Sequence, residues 1–316
     1  MKMKNKRIWM SLIVVLVIGM LTSTITIHAA DYSVKEQVTI NRVHKKLKKQ
    51  KHESDKLIKQ IDQINSKNQF NRIRVKNQYR LCFVNYVNFY RNFFKLSNVY
   101  LGPQYNHTAQ KALQKNIISS NMSTNNFYLN NNLLHDKKIQ KLNVAVLSYF
   151  DNAYNKLNVR KRAWILSPII HEIGTGVLYS PNNGLLRNNL YFINQNNRSI
   201  AVNSHKLITY PAKGVFPYQM MFYRHHQPTY WSIFVVGKPK INSLQIKVQD
   251  KTNHNQAIVK NINLDQKDNF GGFKTLITYQ PEIPLINKHR YQVDINGLNN
   301  GKMHNYRYQF KLFMLK

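Results

Sequence analysis

Hydrophobic positions in the first half of the chain follow helical spacing. Phe83, Val87, Tyr90 and Phe94 lie at i, i+4, i+7 and i+11, which places them on one face of a helix. Residues 102–103, a Gly-Pro pair, interrupt the pattern. Two further helices are then predicted by apolar positions, the second through Ala109, Leu113 and Ile117 and the third through Leu142, Val146, Tyr149 and Ala153. Asn and Ser dominate residues 119–132, which predicts a loop.

Beyond residue 172 the pattern changes to strands. Four apolar runs separated by Pro and Gly predict strands, at residues 173–179, 190–193, 207–210 and 231–236. Helices followed by strands indicate an α+β domain. Residues 237–239 are interpreted as a short linker, because strict apolar-polar alternation begins after them.

The alternation after residue 239 is that of half-buried strands. It covers residues 244–249, 291–295 and 306–312, with a turn predicted at residues 296–297. Strands of this kind in about 77 residues predict a small immunoglobulin-like β-sandwich. Nothing in this segment indicates catalytic chemistry.

The first 30 residues have the pattern of a secretory signal peptide. Four basic residues precede an apolar run at residues 8–21, and Ala29 and Ala30 follow. The run is shorter than the roughly 20 residues that a membrane-spanning helix needs. An uncleaved N-terminal anchor is the alternative. In either case we expect the rest of the chain to lie outside the cytoplasm, with no other transmembrane span.

The chain is strongly basic along its whole length. Its 47 Lys and Arg against 13 Asp and Glu give a formal net charge of +34. Residues 31–79 predict a basic helical arm or linker, with five apolar positions spread among lysines. The expected partners are anionic cell-wall polymers or an anionic membrane surface, bound less tightly as salt rises. Nucleic acid is the other polyanion considered, and no specific nucleic-acid partner is predicted. The alternative is that the charge is only a solubility trait.

Export and the residue usage indicate a bacterial protein. Cys82 is the only cysteine, so no intramolecular disulfide forms. Together with heavy use of Asn, Lys, Ile and Tyr, this indicates an AT-rich Gram-positive bacterium. We therefore expect a secreted or surface-associated protein.

Several short motifs follow one another between residues 84 and 236. Two lie on predicted helices and are formed by Asn88, Tyr90, Arg91 and Leu96 and by Ala109, Gln110 and Ala112. The next two are formed by Arg162, Trp164, Leu166 and Pro168 and by residues 173–176, and the last by residues 210–211, 214–217 and 231–233. In sequence and in order these motifs resemble the CAP family (the SCP/PR-1-like fold), in the form exported by lactic-acid bacteria. Together they cover about half of the chain.

The resemblance implies an α-β-α sandwich with a cleft that usually holds two histidines and two glutamates. Here Thr124, Lys161 and Leu147 stand at three of those positions, and the segment of the fourth is shortened. Only three acids, Asp136, Asp151 and Glu172, occur between residues 81 and 237. We therefore predict a degenerate cleft that holds no metal or other cofactor. Lys161 and Arg162 are the predicted anion-binding residues near it.

Other candidate chemistry has a simpler structural interpretation. His171 and Glu172 lack the second histidine of a zinc-binding H-E-x-x-H helix, because residue 175 is Thr, and their segment predicts a strand. His225 and His226, with His205, are a weaker alternative metal site, because adjacent strand residues point to opposite faces. Cys82 is interpreted as an inert thiol rather than a nucleophile.

The resulting prediction is an α+β protein of four parts. These are a signal peptide (1–30), the basic arm (31–79), a CAP domain (80–237) and a β-sandwich (238–316). We expect a secreted, surface-associated protein that binds rather than catalyses, and whether it is also an enzyme stays open. The alternatives are a hydrolase, protease-like or nuclease-like, with a non-standard site, and a lipid-binding protein.

Overall fold

The computed structural model describes most of the chain after residue 30. The described residues are 31–62, 69–114, 126–132, 134–135, 138–139, 142, 146–147, 150, 159–180, 185–193, 207–222, 228–267, 271–300 and 303–316. Over these residues the protein is α+β, as predicted. The predicted signal peptide lies outside the described residues.

Two long helices come first. Helix α1 spans Val34–Asp62 and α2 spans Gln69–Arg91, followed by a 3-10 turn at Asn92–Phe94. The α2 face predicted from the sequence is confirmed, because Phe83, Val87, Tyr90 and Phe94 are all buried. The described part of the predicted basic arm (31–79) comprises α1 and the first residues of α2. Helix α1 packs on α2, where the Gln50 side chain donates to the carbonyl of Asn85 at 2.9 Å.

The next elements form a four-stranded sheet with helices against it. They are β1 (Tyr100–Leu101), α3 (Pro103–Gln114), β2 (Asn126–Asn132), β3 (Leu134–His135), β4 (Lys138–Ile139), α4 (Val159–Ile165), β5 (Glu172–Ser180) and β6 (Leu185–Ile193). The strand order is β1-β5-β6-β2, and β3 and β4 pair separately. The loop predicted across residues 119–132 is wrong for its second half, because β2 pairs with β6 over seven positions. The backbone supplies that ladder, so asparagine side chains do not prevent it.

Helix α3 and strand β5 approach each other at Gly174. A Cβ atom added there would lie 2.1 Å from the carbonyl oxygen of Tyr105. The side chain of Asn106 accepts a hydrogen bond from the Thr175 amide at 2.9 Å, which holds the helix at this short distance. Only glycine leaves room for the backbone of α3.

The remaining strands form two further sheets. They are β7 (Leu207–Tyr210), β8 (Gly214–Pro217), β9 (Trp231–Val235), β10 (Lys240–Asp250), β11 (Gln256–Ile258), β12 (Ile262–Asp265), β13 (Thr275–Tyr279), β14 (Arg290–Asn300) and β15 (Met303–Phe313), with a 3-10 turn at Tyr218–Met221. One sheet has the order β11-β10-β14-β15-β8 and the other β12-β13-β9-β7. Trp231 of β9 packs edge-on against Phe310 of β15 at 5.4 Å, so the two sheets meet face to face.

The sheets correct the predicted boundary at residues 237–238. Strand β9 pairs with β13, and β8 pairs with β15, so strands from both sides of that boundary share each sheet. The sandwich therefore begins near residue 207, and residues 237–239 connect its two sheets. The turn predicted at residues 296–297 is also wrong, because β14 continues to Asn300 through a register shift.

The sheet β12-β13-β9-β7 is buried on both faces at its centre. Every residue of β9 and β13 is buried. On one face Trp231 and Tyr279 pack in the sandwich core at 5.9 Å. On the other face Ser232 and Tyr210 contact Arg162 of α4. The helical part of the protein therefore covers the outer face of this sheet.

The start of α1 is fixed to the last strand of the sandwich. Lys311 is only 1% exposed, and its ammonium donates to the carbonyl of Asp31 at 3.0 Å and lies over the Tyr32 ring. Tyr32 donates to the carbonyl of Leu312 at 2.9 Å. Glu36 pairs with Arg290 of β14 at 2.6 Å. The predicted arm is therefore a packed element from its first turn.

Replacing Gly174 tests the close contact between α3 and β5. We expect Gly174→Ala to lower the free energy of unfolding by about 2–3 kcal/mol, because the new methyl group meets backbone atoms that cannot rotate away. Denaturant unfolding measures the change. Gly102→Ala is the matched control, since its methyl group meets the Tyr105 ring, which can turn, and it should cost less. Equal losses in the two variants would contradict this account.

The Glu36 ion pair predicts how the attachment of α1 depends on pH. Burial alone would raise the pKa of Glu36, but hydrogen bonds from Ser33 and Arg290 and the charge of Arg290 lower it below 4.5. Its stabilisation is therefore complete above the unfolded pKa near 4.5 and is lost as the pH falls through the lowered folded pKa.

We expect Glu36→Gln to reduce the free energy of unfolding by about 0.5–1 kcal/mol at pH 7, and the difference from the natural protein to vanish in strong acid. Unfolding curves at pH 7 and pH 3 measure it. Asp55→Asn, at an exposed carboxylate of the same helix, is the control. A Glu36→Gln deficit that stays the same at both pH values would show that the charge of Glu36 does not stabilise the fold.

Candidate functional site

Arg162 is buried in the protein and is unavailable to an anion. Its side chain is 0% exposed. Nε and Nη2 donate to the carbonyl of Phe150 at 2.9 and 2.6 Å, and Nη1 donates to the Tyr230 carbonyl at 2.8 Å and to Ser232 Oγ at 3.2 Å. The guanidinium carbon lies 3.5 Å from the centre of the Tyr210 ring. The prediction that Arg162 binds an external anion is therefore wrong, because protein groups occupy its donors.

The other predicted cleft residues have different surroundings. Lys161 is half-buried on α4, and burial lowers the pKa of its ammonium. Leu147 is half-buried and packs against the hydrophobic core. Thr124 lies outside the described residues. The structure thus places Lys161 beside a buried arginine, and anion binding by Lys161 stays a prediction.

The residues that carry the family resemblance in the helices support the fold. The Asn88 side chain exchanges two hydrogen bonds of 2.8 Å with the backbone of Val99. Arg91 is buried and donates to the carbonyls of Ser97, Ile165 and Ser167. Gln110 accepts from the amide of Val177 at 3.1 Å. Each of these side chains therefore joins its helix to the backbone of a different segment of the fold.

The remaining candidate residues give no catalytic arrangement among the described residues. Glu172 is the first residue of β5, which confirms that the segment is a strand and not a zinc-binding helix. Burial raises the pKa of the Cys82 thiol to about 11, so the reactive thiolate is scarce at neutral pH. His205, His225 and His226 lie outside the described residues. In the described parts of the chain, no group of three or more His, Cys, Asp or Glu is placed to hold a metal ion.

The clearest surface feature is one side of α1. Its inward positions are buried and follow helical spacings of seven, three and four residues, at Ile40, Leu47, Gln50, Ser54 and Leu57. The opposite side is cationic. We define the basic face of α1 by six exposed residues, Arg42, Lys45, Lys48, Lys49, Lys56 and Lys59.

The basic face is a dense and weakly neutralised set of charges. From Arg42 to Lys59 it extends about 26 Å along the helix. Lys49 contacts Glu53 at 4.0 Å, but both side chains are well exposed, so this pair holds the lysine only weakly. Six cations on one side of a packed helix form an array for an extended anion. The lysines are evident from the sequence, but the packing that leaves these six cations exposed on one side of α1 is not.

Among the described residues, no helix is long and apolar enough to cross a membrane. The apolar side of α1 instead packs within the protein, as Leu47 and Leu57 belong to the hydrophobic core. The accessible side of this helix is therefore cationic from Arg42 to Lys59, whereas its first two turns expose Val34 and Val38.

A conservative change at Arg162 separates a structural role from anion binding. We expect Arg162→Lys to lower the free energy of unfolding by about 3–5 kcal/mol, because one ammonium cannot reach Phe150, Tyr230 and Ser232 together. Thermal and denaturant unfolding measure the loss. Lys161→Gln, one position away and half-buried, should change stability by less than about 1 kcal/mol. A stable Arg162→Lys protein would refute the structural role.

No protein-family model matches the chain, and no curated protein matches it. The geometry of α1, of α4 and of the sandwich is therefore the basis for assigning a function.

Proposed function

We propose that this is a secreted, surface-associated protein of a Gram-positive bacterium that binds anionic cell-wall polymers through the basic face of α1. The observation that carries the proposal is the outward orientation of Arg42, Lys45, Lys48, Lys49, Lys56 and Lys59 on a helix whose other side is buried. An N-terminal segment with signal-peptide features supports export.

The attachment of α1 to the rest of the protein favours binding by this face. Its inner side packs on α2 through Gln50 and the buried Leu47 and Leu57. Its first turn is held by Glu36 and Arg290. The backbone of the cationic array is therefore ordered before a ligand arrives, and less conformational entropy is lost on binding than with a free arm.

The overall charge supports a polyanionic partner. A net charge of +34 attracts anionic surfaces from a distance and accelerates encounter at low salt. Repeating phosphate groups in a wall polymer would match lysines that recur along one helix side. Such binding weakens with salt, because counterions compete for both partners.

We also propose the finer fold assignment, in which the helices and the first sheet form a CAP-like unit and the last two sheets form an immunoglobulin-like sandwich. The bonds of Asn88, Arg91 and Gln110 support the first assignment, since the resembling residues occupy positions that join helices to neighbouring backbone. Residues 210–217 and 231–233 weigh against it, because they belong to the sandwich sheets.

Removing charge from the basic face tests the proposed function. We expect Lys45→Gln, Lys48→Gln and Lys49→Gln together to weaken binding to isolated Gram-positive walls by roughly 10- to 100-fold at low salt. The reason is that each cation near an anionic surface contributes about 1 kcal/mol or less of binding free energy. Sedimentation with walls measures binding, before and after removal of teichoic acid. Binding should need the polymer and fall as salt rises.

The control removes the same charge from the sandwich. Lys238, Lys260 and Lys267 are exposed there, and changing all three to Gln lowers the net charge equally. We expect this variant to bind within about threefold of the natural protein. Equal weakening in both variants would show a general charge effect, and unchanged binding in the α1 variant would refute the role of the face. Stronger binding to vesicles of anionic lipid than to walls would identify the membrane as the surface.

A further inference from the structure

A polar cavity lies on the outer face of the sheet β12-β13-β9-β7. Its volume is about 290 Å³, near the lower end of the range for small-molecule sites. The strand register aligns Asn263, Thr278 and Ser232 across three strands. Because side chains two residues apart share a face, Asn261, Gln280 and Tyr230 form the next row. All of these residues except Ser232 line the cavity, and those of the second row lie one residue beyond the ends of their strands.

The lining has the chemistry of a site for hydroxyl groups. Three amides, one hydroxyl, one phenol and one carboxylate contribute, from Asn261, Asn263, Gln280, Thr278, Tyr230 and Glu282, together with the aliphatic Ile262. Amides both donate and accept hydrogen bonds, as sugar hydroxyls do. Tyr230 adds an aromatic surface against which the C–H groups of a sugar ring can pack.

Thr278 supplies an independent indication that the cavity receives a ligand. It is 2% exposed, and its hydroxyl makes no hydrogen bond within the described protein. A buried hydroxyl without a partner is costly, and a ligand hydroxyl would satisfy it. The neighbouring Tyr230 backbone is already fixed, since its carbonyl accepts from Arg162 at 2.8 Å.

The charge of the lining selects the class of ligand. None of the lining residues is Lys or Arg, although the chain has 47 of them, and Glu282 contributes a negative charge. An anionic ligand would meet no cation in the lining and one carboxylate. A neutral ligand rich in hydroxyl groups avoids that repulsion and matches the amides.

We propose that this cavity binds a neutral sugar unit, with Thr278, Gln280 and the two asparagines as hydrogen-bonding residues. The site is independent of the basic face of α1. Its residues come from the sandwich, and its ligand carries no charge. The volume fits a single sugar ring better than a longer chain lying wholly inside it.

Saturation-transfer NMR with the purified protein tests the proposal. The probes are methyl glucoside, methyl galactoside and N-acetylglucosamine, with glucosamine as a cationic comparison. We expect saturable binding of at least one neutral sugar that persists at high salt. Thr278→Val should weaken it by about 3- to 10-fold, because one hydrogen bond is lost while the shape is kept.

Thr229→Val is the matched control. Thr229 is also buried with an unpartnered hydroxyl, but it does not line the cavity. Both variants should fold, as each removes only an unsatisfied hydroxyl, and only Thr278→Val should weaken sugar binding. Failure of every neutral sugar to bind, equal affinity in Thr278→Val and the natural protein, or binding of glucosamine alone would overturn the proposal. No polyanion is present in these experiments, so their failure leaves the wall-binding proposal unaffected.

Discussion

The junction between the helical part and the sandwich depends on the guanidinium of Arg162. One planar group binds the carbonyl of Phe150 in the helical part and reaches Tyr230 and Ser232 in the sandwich. The Tyr210 ring covers its face at 3.5 Å. Burying a cation is costly unless its donors are satisfied, so this contact persists only in one relative arrangement of α4 and the sheet. The two-sided burial of β9 follows from that arrangement.

Local periodicity predicted the elements far better than their assembly. The face of α2 and the strands near residues 173, 207 and 231 were identified because burial leaves a repeating apolar pattern. The apolar pattern of a strand does not indicate which other strand it pairs with. For this reason β9 was assigned to the wrong side of a domain boundary. The sequence signal was that four of the five residues of β9 are apolar without strict alternation, which is typical of a strand covered on both faces.

Two other errors have the same physical origin. Strand β2 is rich in asparagine, yet it pairs with β6 over its whole length because the hydrogen bonds come from the backbone. Strand β14 passes through Gly297, which has a positive φ of 79°, and continues beyond the residues that resembled a turn. The asparagines of β2 therefore predicted a loop where the fold has a strand. Gly297 predicted a turn where the fold has an irregularity within strand β14.

The candidate sites were predictable to different degrees for a related reason. The sequence shows that α1 is rich in lysine and arginine. That these cations share one exposed side depends on the contacts of α1 with Asn85 and Arg290, which are remote in sequence. The cavity could not be predicted from the sequence, because Asn263, Thr278 and Tyr230 are brought together only by the register of the paired strands. The charge of a lysine acts over a distance, so the number of lysines matters more than their exact positions. An uncharged polar group acts only in contact with its ligand, so its position is decisive. The two proposals are therefore compatible in one protein with a net charge of +34, because the lining of the cavity contains no Lys or Arg and the basic face of α1 lies elsewhere.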